Sequence, residues 1–188
     1  SAGQFVREGA KVIVADIDES LGRATERELT SAGYAVAFLL IDVTSEESVK
    51  AAVDEAAGKF GALHVLVNCA GGSIAADAAV TDVDMAVWDH TINLDLRGTF
   101  LVCRHAIPHM QSSGGGAIVN FTSLVALQGN FPGHVYTAAK GGIISFTQAL
   151  AGRYWRDNIR ANAIAPGVIL SERVASRMGV DRQNSQTA

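Results

Sequence analysis

Short apolar runs alternate along the chain with longer stretches in which apolar residues recur every three or four positions. The short runs, rich in Val and Ile and bounded by turn residues, are typical of buried strands, and the periodic stretches are typical of amphipathic helices. Strands are predicted over 10–18, 34–44, 63–72, 116–123 and 159–167, and helices over 20–33, 44–61, 84–110 and 134–157. This alternation predicts an α/β fold, a doubly wound parallel sheet covered by helices on both faces.

Glycine and proline refine the ends and the packing of these elements. Gly33 is predicted to end the first helix. Pro108 is expected to kink or end the long helix over 84–110, because proline removes a helical hydrogen bond. The paired glycines Gly141 and Gly142 weaken the last helix. We expect them to let that helix pack closely on the sheet or on a helix of a partner subunit.

Composition excludes several classes of function. The 188 residues fit one domain, 1–188, whose polar end, 181–188, is predicted to be a loose tail. A net charge of −4 argues against a nucleic-acid surface. The longest apolar run, 34–41, is far shorter than the roughly 20 residues that cross a bilayer, and the first residues lack the order of a signal peptide. Cys69 and Cys103 have no metal-ligand spacing, so a cytoplasmic protein without a metal site or disulfide framework is predicted.

The main candidate for chemistry is the stretch "HVYTAAKGG". Tyr136 and Lys140 are four residues apart, so they lie on one face of the predicted helix. A phenol is a poor base at neutral pH, but a nearby ammonium favours the phenolate and lowers the pKa of the tyrosine. Such a pair can act as a general acid/base toward an alcohol or a ketone. A surface contact between the two side chains is the alternative interpretation.

Special residues also stand where the predicted strands end, which is the edge of an open α/β sheet that binds ligands. Ser123 ends one strand, and its hydroxyl can donate a hydrogen bond to a carbonyl oxygen on which charge develops. The segment 68–72, "NCAGG", follows another strand, and its small residues let the backbone approach a ligand closely. Pro166 and Gly167 end the fifth strand. Together these positions and the Tyr136/Lys140 pair predict one cleft.

Five segments carry a resemblance to a known family: "NCAG" at 68–71, "INLDLRGTF" at 92–100, "IVNFTS" at 118–123, "YTAAK" at 136–140 and "NIRANAIAPG" at 158–167. In this order and spacing the chain resembles a compact, single-domain short-chain dehydrogenase/reductase. The resemblance implies a Rossmann-like sheet that is incomplete at both ends, without its first strand and glycine-rich turn and without its last strand. That first strand would lie between the strands at 11–16 and 63–68, which are therefore expected to share no ladder.

The resemblance also implies roles for individual residues. Tyr136 matches the catalytic acid/base, Lys140 the residue that binds the nicotinamide ribose, and Ser123 the residue that orients the substrate. Asn93 matches a helix asparagine that holds a water in the proton relay, with a polar side chain satisfied inside the helix as the alternative. Cys69 stands where the family usually has a second asparagine and is interpreted as a buried, structural thiol. The segments implied to line the cofactor are Asn68, Ala70 and Gly71, and Pro166, Gly167 and Val168.

Asp16 carries the prediction of cofactor type. At the end of the first visible strand, its carboxylate can bond both ribose hydroxyls of an adenosine and would repel a 2′-phosphate, so NAD is predicted over NADP. The alternative is a helix cap, a role that Asp18 or Ser20 could fill equally well. Asp42, followed by Val43 in "IDVT", matches a family aspartate near the adenine, and a plain turn or cap role stays open for it.

These observations lead to two main hypotheses of function. The first is an NAD(H)-dependent oxidoreductase that interconverts a secondary alcohol and a ketone, with Tyr136 as the acid/base. The second is a non-catalytic, truncated homologue that only associates with intact subunits. In either case the resemblance implies a homodimer or homotetramer formed through the helices over 84–110 and 134–157. A nucleotide-sugar epimerase shares Y-x-x-x-K but fits "NIRANAIAPG" less well.

Overall fold

The protein is described by a computed structural model over residues 2–169 and Val174, so the predicted tail at 181–188 lies outside the described residues. Within this part of the chain, helices and strands alternate as the hydrophobic pattern predicts. The strands are β1 Val12–Asp16, β2 Val36–Leu40, β3 Val65–Asn68, β4 Gly116–Phe121 and β5 Ile159–Ile164. The helices are α1 Ala2–Arg7, α2 Glu19–Ser31, α3 Glu46–Phe60, α4 Met85–Thr91, α5 Gly98–Ser112 and α6 His134–Tyr154.

The described strands are all parallel and form two separate ladders. β1 pairs with β2, whereas β3, β4 and β5 form a sheet in which β4 is central. The α/β fold with parallel pairing is therefore confirmed, and among these strands β1 and β3 share no ladder, as expected. Each strand is shorter than its predicted range because the sequence pattern also includes the turn residues on either side.

Local signals set the helix boundaries. The Asp18 side chain accepts a hydrogen bond from the Leu21 backbone N–H (3.0 Å) and begins α2. α3 begins at Ser45, whose hydroxyl accepts from the Ser48 N–H (3.3 Å), and it ends at Gly61 in a left-handed conformation. Both helices thus start where the sequence supplies a capping side chain.

The long helix over 84–110 is continuous but changes its winding. α4 and α5 are joined by a π-helical segment, Ile92–Arg97. Of the two effects expected at Pro108, a kink or an end, the end does not occur there, since α5 runs on to Ser112. The proline ring and the residue one turn before it, Arg104, are both exposed, so the carbonyl that loses its partner faces water.

Two apolar clusters hold these elements together. One joins Ile41, the residue after β2, with α3 and α5, and Val49 and Ala106 lie at its fully buried centre. The other joins α5, β4, β5 and α6, with Met110, Ile118 and Ile159 at its centre. α5 contributes to both and therefore connects the two ladders. Among the described residues no helix is long and apolar enough to cross a membrane.

Candidate functional site

The carboxyl ends of β3 and β4 and the start of α6 meet around one buried cation, the Lys140 ammonium. Its Nζ lies 3.1 Å from the Phe121 carbonyl oxygen at the end of β4 and 2.9 Å from Asp95 Oδ1. The Thr122 hydroxyl donates to the Lys140 backbone carbonyl (2.6 Å) and fixes that turn of the helix against the strand. Lys140 is 4% exposed, so its charge lies inside the protein.

The acidic partner of Lys140, Asp95, lies in the π-helical segment and is fully buried. Its Oδ1 accepts a hydrogen bond from the Gly72 backbone N–H (2.9 Å) as well as contacting Lys140. Its other oxygen, Oδ2, has no hydrogen-bond partner among the described residues. Asp95 therefore links the end of β3 to α6 through a single oxygen atom.

Asn93, two residues earlier in the same segment, does not face the Asp95/Lys140 pair. Its Oδ1 accepts a hydrogen bond from Arg97 Nη1 (3.0 Å), and the same nitrogen donates to the Thr44 carbonyl (2.9 Å). The side chain thus faces the loop after β2. This hydrogen bond is of the kind that the alternative interpretation of Asn93 expects, and Asp95 is the residue of this helix that contacts Lys140.

Gly71 allows the close approach between Asp95 and the end of β3. Gly71 and Gly72 have φ angles of 131° and 142°, which side chains rarely adopt. A β-carbon at Gly71 would overlap Asp95 Oδ1 and would lie 3.3 Å from Lys140 Nζ. The sequence predicts small residues after β3 so that a ligand can approach the backbone. At Gly71 the group that approaches the backbone is instead the side chain of Asp95. The neighbouring Ala70 and Cys69 are exposed, so the prediction that Cys69 is buried is wrong.

Tyr136 lies in the first turn of α6, as its spacing from Lys140 predicts. Lys140 Nζ lies 5.5 Å from the centroid of the tyrosine ring. The helix start is held from outside, because Gly133 at the cap position offers no side chain. Asp77 takes that role: its two carboxylate oxygens accept hydrogen bonds from the Val135 N–H (3.2 Å) and the Tyr136 N–H (2.8 Å). A residue distant in sequence thus fixes the backbone of Tyr136.

Ser123 and the end of β5 lie next to each other. Ser123 caps a short 3₁₀ turn, Leu124–Leu127, and its hydroxyl accepts a hydrogen bond from the Val125 N–H (3.4 Å). The Leu124 N–H donates to the Pro166 carbonyl (3.0 Å), which joins this turn to the strand end. Gly167 follows Pro166, and Val168 beyond it is largely exposed. These two strand ends are therefore brought together at one edge.

Below the site a buried polar chain ties β3, β4 and α6 together. Asn68 Nδ2 donates to Asn120 Oδ1 (2.8 Å), and Asn120 Nδ2 donates to the Thr147 hydroxyl (2.9 Å). The Asn68 side chain is thus committed to the core. Cys103 contacts Asn68 through its sulfur (3.3 Å), and burial raises the pKa of this thiol to about 12. Cys103 is consequently a neutral core residue.

The residues predicted to bind the adenosine lie at the ends of β1 and β2. Asp16 is exposed, and its Oδ1 accepts a hydrogen bond from the Asp18 N–H (3.0 Å) while Asp18 caps α2. Asp42 forms a turn, because its Oδ1 accepts from both the Thr44 hydroxyl (2.7 Å) and the Thr44 N–H (2.9 Å). These bonds hold the pKa of Asp42 below its usual value. Val43 packs against α5 at Gly98.

Sequence reasoning missed Asp95 and Asp77. Asp95 lies inside the quoted "INLDLRGTF", and a buried acid among the apolar positions of a helix is an available signal. Asp77 lies in a loop, and no local pattern connects it with α6. Within the described residues no group of three or more His, Cys, Asp or Glu side chains could hold a metal ion.

The chain is similar to known proteins along nearly its whole described length. A family model described as Enoyl-(Acyl carrier protein) reductase matches residues 1–187. The curated protein named "Probable galactose dehydrogenase GalD" from Rhizobium meliloti (strain 1021) is 43% identical over 171 residues, which are 90% of this chain and 66% of that relative. The chain spans about two thirds of the length of the curated relatives it matches.

Solved structures are also similar to the chain. A short-chain type dehydrogenase/reductase from Mycobacterium ulcerans matches with a TM-score of 0.90 and 30% identity, covering 96% of this chain and 66% of that one. The structure titled "ElxO with NADP Bound" matches with a TM-score of 0.87 and 30% identity, covering 95% of this chain and 71% of that one.

Proposed function

The chain belongs to the short-chain dehydrogenase/reductase family, and we propose that the protein interconverts a secondary alcohol and a ketone with NAD(H), using Tyr136 as the acid/base. The observation that carries this proposal is the placement of the Lys140 ammonium, 5.5 Å from the centroid of the Tyr136 ring. Both residues lie at the carboxyl edge of parallel strands, where open α/β sheets bind their ligands.

The proton chemistry follows from charge. A cation near a phenol favours the phenolate, so Tyr136 can accept the proton of an alcohol and return it to a ketone. Two of the three Lys140 N–H groups are engaged by Phe121 and Asp95. These contacts keep the ammonium from swinging away. Ser123, placed by the 3₁₀ turn after β4, is proposed to donate a hydrogen bond to the substrate oxygen.

The residues present fit a nicotinamide cofactor at its two ends. The exposed Asp16 carboxylate suits ribose hydroxyls at the end of β1, and the exposed Ala70 leaves the backbone open at the end of β3, beside Gly71, whose free space is taken by Asp95 Oδ1. Pro166, Gly167 and Val168 are proposed to lie beside the nicotinamide ring. When bound, this group supplies or accepts the hydride.

NAD is proposed over NADP because of Asp16. Its carboxylate faces solvent, and a negative charge there would repel a 2′-phosphate. Three of the similar solved structures hold NADP or NADPH, so the proposal of NAD rests on Asp16 and not on these relatives. Asp42, occupied by its turn with Thr44, is proposed to shape the adenine side of the site through its backbone.

We also propose that the protein works as a homodimer or homotetramer in the cytoplasm. α5 and α6 present an aromatic face on which the exposed Phe100 ring lies 5.3 Å from the Phe146 ring, centroid to centroid. Beside it a groove of about 260 Å³ is lined by Ile107, Leu150 and Tyr154 among others. Both cysteines are free thiols, which suits a reducing compartment.

Replacing Tyr136 with Phe tests the chemistry. Tyr136→Phe removes only the hydroxyl, so it is expected to lower kcat for alcohol oxidation by about 10²-fold or more while KM changes little. The measurement is the absorbance of the reduced nicotinamide with a panel of secondary alcohols. Tyr34→Phe, just before β2 and outside both the site and that groove, is the matched control and should keep its rate.

Two outcomes would count against this proposal. A Tyr136→Phe variant that keeps most of its activity would overturn the acid/base role. A chain that assembles in sedimentation experiments but shows no turnover with either nicotinamide cofactor would favour the alternative, a non-catalytic homologue that associates with intact subunits.

A further inference from the structure

We propose that Asp95 is a positioning residue that holds Lys140 in place and, through its negative charge, limits how strongly Lys140 favours the phenolate of Tyr136. This inference rests on the proposed roles of Tyr136 and Lys140. It goes beyond them because it gives a role to a buried carboxylate, whose negative charge partly cancels the positive charge of Lys140.

The geometry isolates Asp95 from water. The residue is fully buried, and its carboxylate lies 2.9 Å from the Lys140 ammonium. Only Oδ1 receives hydrogen bonds from the described residues, since Oδ2 has no partner among them. A charge that is neither solvated nor fully hydrogen-bonded is poorly screened, so its field reaches neighbouring groups.

Several close contacts leave Asp95 little freedom to move away. Gly72 N–H holds Oδ1 from the end of β3, and Gly71 leaves just enough room for that oxygen. On the other side, Gly142 of α6 sits against Leu96, the next residue of the π-helical segment, where a β-carbon would lie 2.9 Å from Leu96 Cδ2. The segment and α6 are thus packed in one register, which keeps Asp95 opposite Lys140.

Other titratable groups surround the Tyr136/Lys140 pair. Asp77, from the loop after β3, caps α6 at Tyr136, and His134 lies at the start of α6, where its Nδ1 accepts a hydrogen bond from the Val80 N–H. Partial burial raises the pKa of the Cys69 thiol, and the Lys140 ammonium opposes that shift. Of the two acidic groups, only Asp95 contacts the ammonium, so its charge is the one that cancels the lysine.

The balance between the two charges has a consequence for the reaction. An unopposed ammonium would shift the ionisation of Tyr136 far toward the phenolate, which makes the phenol a better acid and a weaker base. A carboxylate at 2.9 Å from the ammonium restores part of the basicity that proton removal from an alcohol requires. Asp95 therefore sets the pH range in which the pair works.

The test is a spectrophotometric titration of Tyr136 in the Asp95→Asn variant. Asparagine keeps the shape and can still accept from Gly72 and Lys140, but it removes the charge. The phenolate absorbance of Tyr136 is isolated by subtracting the same titration of a matching Tyr136→Phe variant. Asp95→Asn is expected to lower the midpoint by about one pH unit, the scale of a nearby charge on a titrating group.

Controls keep the result independent of the proposed activity. Asp89→Asn removes an exposed acid from α4 and should leave the midpoint unchanged. Circular dichroism shows whether each variant is folded, and Asp95→Ser replaces Asp95→Asn if the amide is not accommodated. An unchanged or raised midpoint in a folded variant would overturn the inference.

The pH dependence of kcat/KM then separates the two claims. If the enzyme is active, the acidic limb of its profile should move down in Asp95→Asn by the same amount as the titration midpoint. A shifted midpoint in a protein without turnover would support the role of Asp95 and sink the proposed function. If Asp95→Asn is active, and neither its pH profile nor its titration midpoint moves, the role of Asp95 is wrong and the proposed function stands.

Discussion

Asp16 and Asp95 are both carboxylates at the carboxyl edge of the parallel strands, yet their surroundings are opposite. Asp16 ends β1, is exposed, and accepts one hydrogen bond from a backbone two residues away. Asp95 is fully buried and is held by the end of β3 and by α6. Asp95, which lies nearest the proposed chemistry, is therefore fixed by contacts with residues distant in sequence. Asp16, which is proposed to select the cofactor, is held by one hydrogen bond from a residue close in sequence.

The largest effect is expected from breaking the buried pair. Lys140→Met leaves Asp95 without a counter-charge inside the protein, which is expected to cost about 3–5 kcal/mol of unfolding free energy. Adding Asp95→Asn to Lys140→Met should recover a large part of that loss, because the second change removes the stranded charge. Urea denaturation of the two variants measures both effects.

An exposed ion pair provides the control for this experiment. Lys50 contacts Asp54 at 2.7 Å, but both side chains are largely in solvent. Lys50→Met should therefore change the unfolding free energy by less than about 1 kcal/mol. If Lys140→Met lowered the unfolding free energy no more than Lys50→Met does, the Asp95/Lys140 pair would not be the rigid part of the site.

The paired glycines of α6 give a smaller effect. Gly141 has open space where a β-carbon would lie, whereas at Gly142 a β-carbon would lie 2.9 Å from Leu96 Cδ2. Alanine in a helix interior is favoured over glycine by about 1 kcal/mol, so Gly141→Ala should stabilise the protein by that amount. Gly142→Ala must displace Leu96 and is expected to lose that gain or to destabilise the protein by about 1 kcal/mol.

Thermal unfolding of the two alanine variants measures the difference. The outcome also refines the expectation from sequence, since Gly142 packs on the π-helical segment rather than on the sheet, and a β-carbon at Gly141 would meet no atom of the described residues within 4 Å. Equal stabilisation by both variants would show that Leu96 moves freely and that the register of α6 is not fixed there.

The sequence predicted the alternation of elements and the Tyr136/Lys140 pair because both depend on short spacings. The assignment of Asn93 came instead from the family resemblance, and the structure places Asp95, two residues later, against Lys140. Residues two apart on a helix point about 200° away from each other, so only one of them can face the cleft. The π-helical winding over Ile92–Arg97 alters that phase, and hydrophobic periodicity does not reveal a single extra residue per turn.

Long-range contacts explain the remaining misses. Asp77 and Tyr136 are 59 residues apart, and the hydrogen bond between them forms only because the loop after β3 folds over the start of α6. The same holds for the exposure of Cys69, which depends on what packs beyond the end of β3. Local pattern therefore locates strand ends, whereas the partners of each side chain at those ends come from the tertiary fold.

The smallest effect on stability is expected at Asp16. Because its side chain is exposed and caps no helix, Asp16→Ala should change the unfolding free energy by less than about 0.5 kcal/mol. The same substitution removes the charge that would repel a 2′-phosphate, so the ratio of kcat/KM for NAD to that for NADP should fall. Steady-state kinetics with each cofactor measure this ratio.

Asp18 separates the charge at the strand end from the helix cap. Asp18→Ala removes the side chain that begins α2, so it is expected to cost about 1 kcal/mol of stability while leaving the cofactor ratio unchanged. Asp16→Ala should thus change the cofactor ratio but not the stability, and Asp18→Ala should change the stability but not the cofactor ratio. If Asp16→Ala instead destabilised the protein and left the ratio in place, the carboxylate would act as part of the turn. The preference for NAD would then have to come from residues beyond β1.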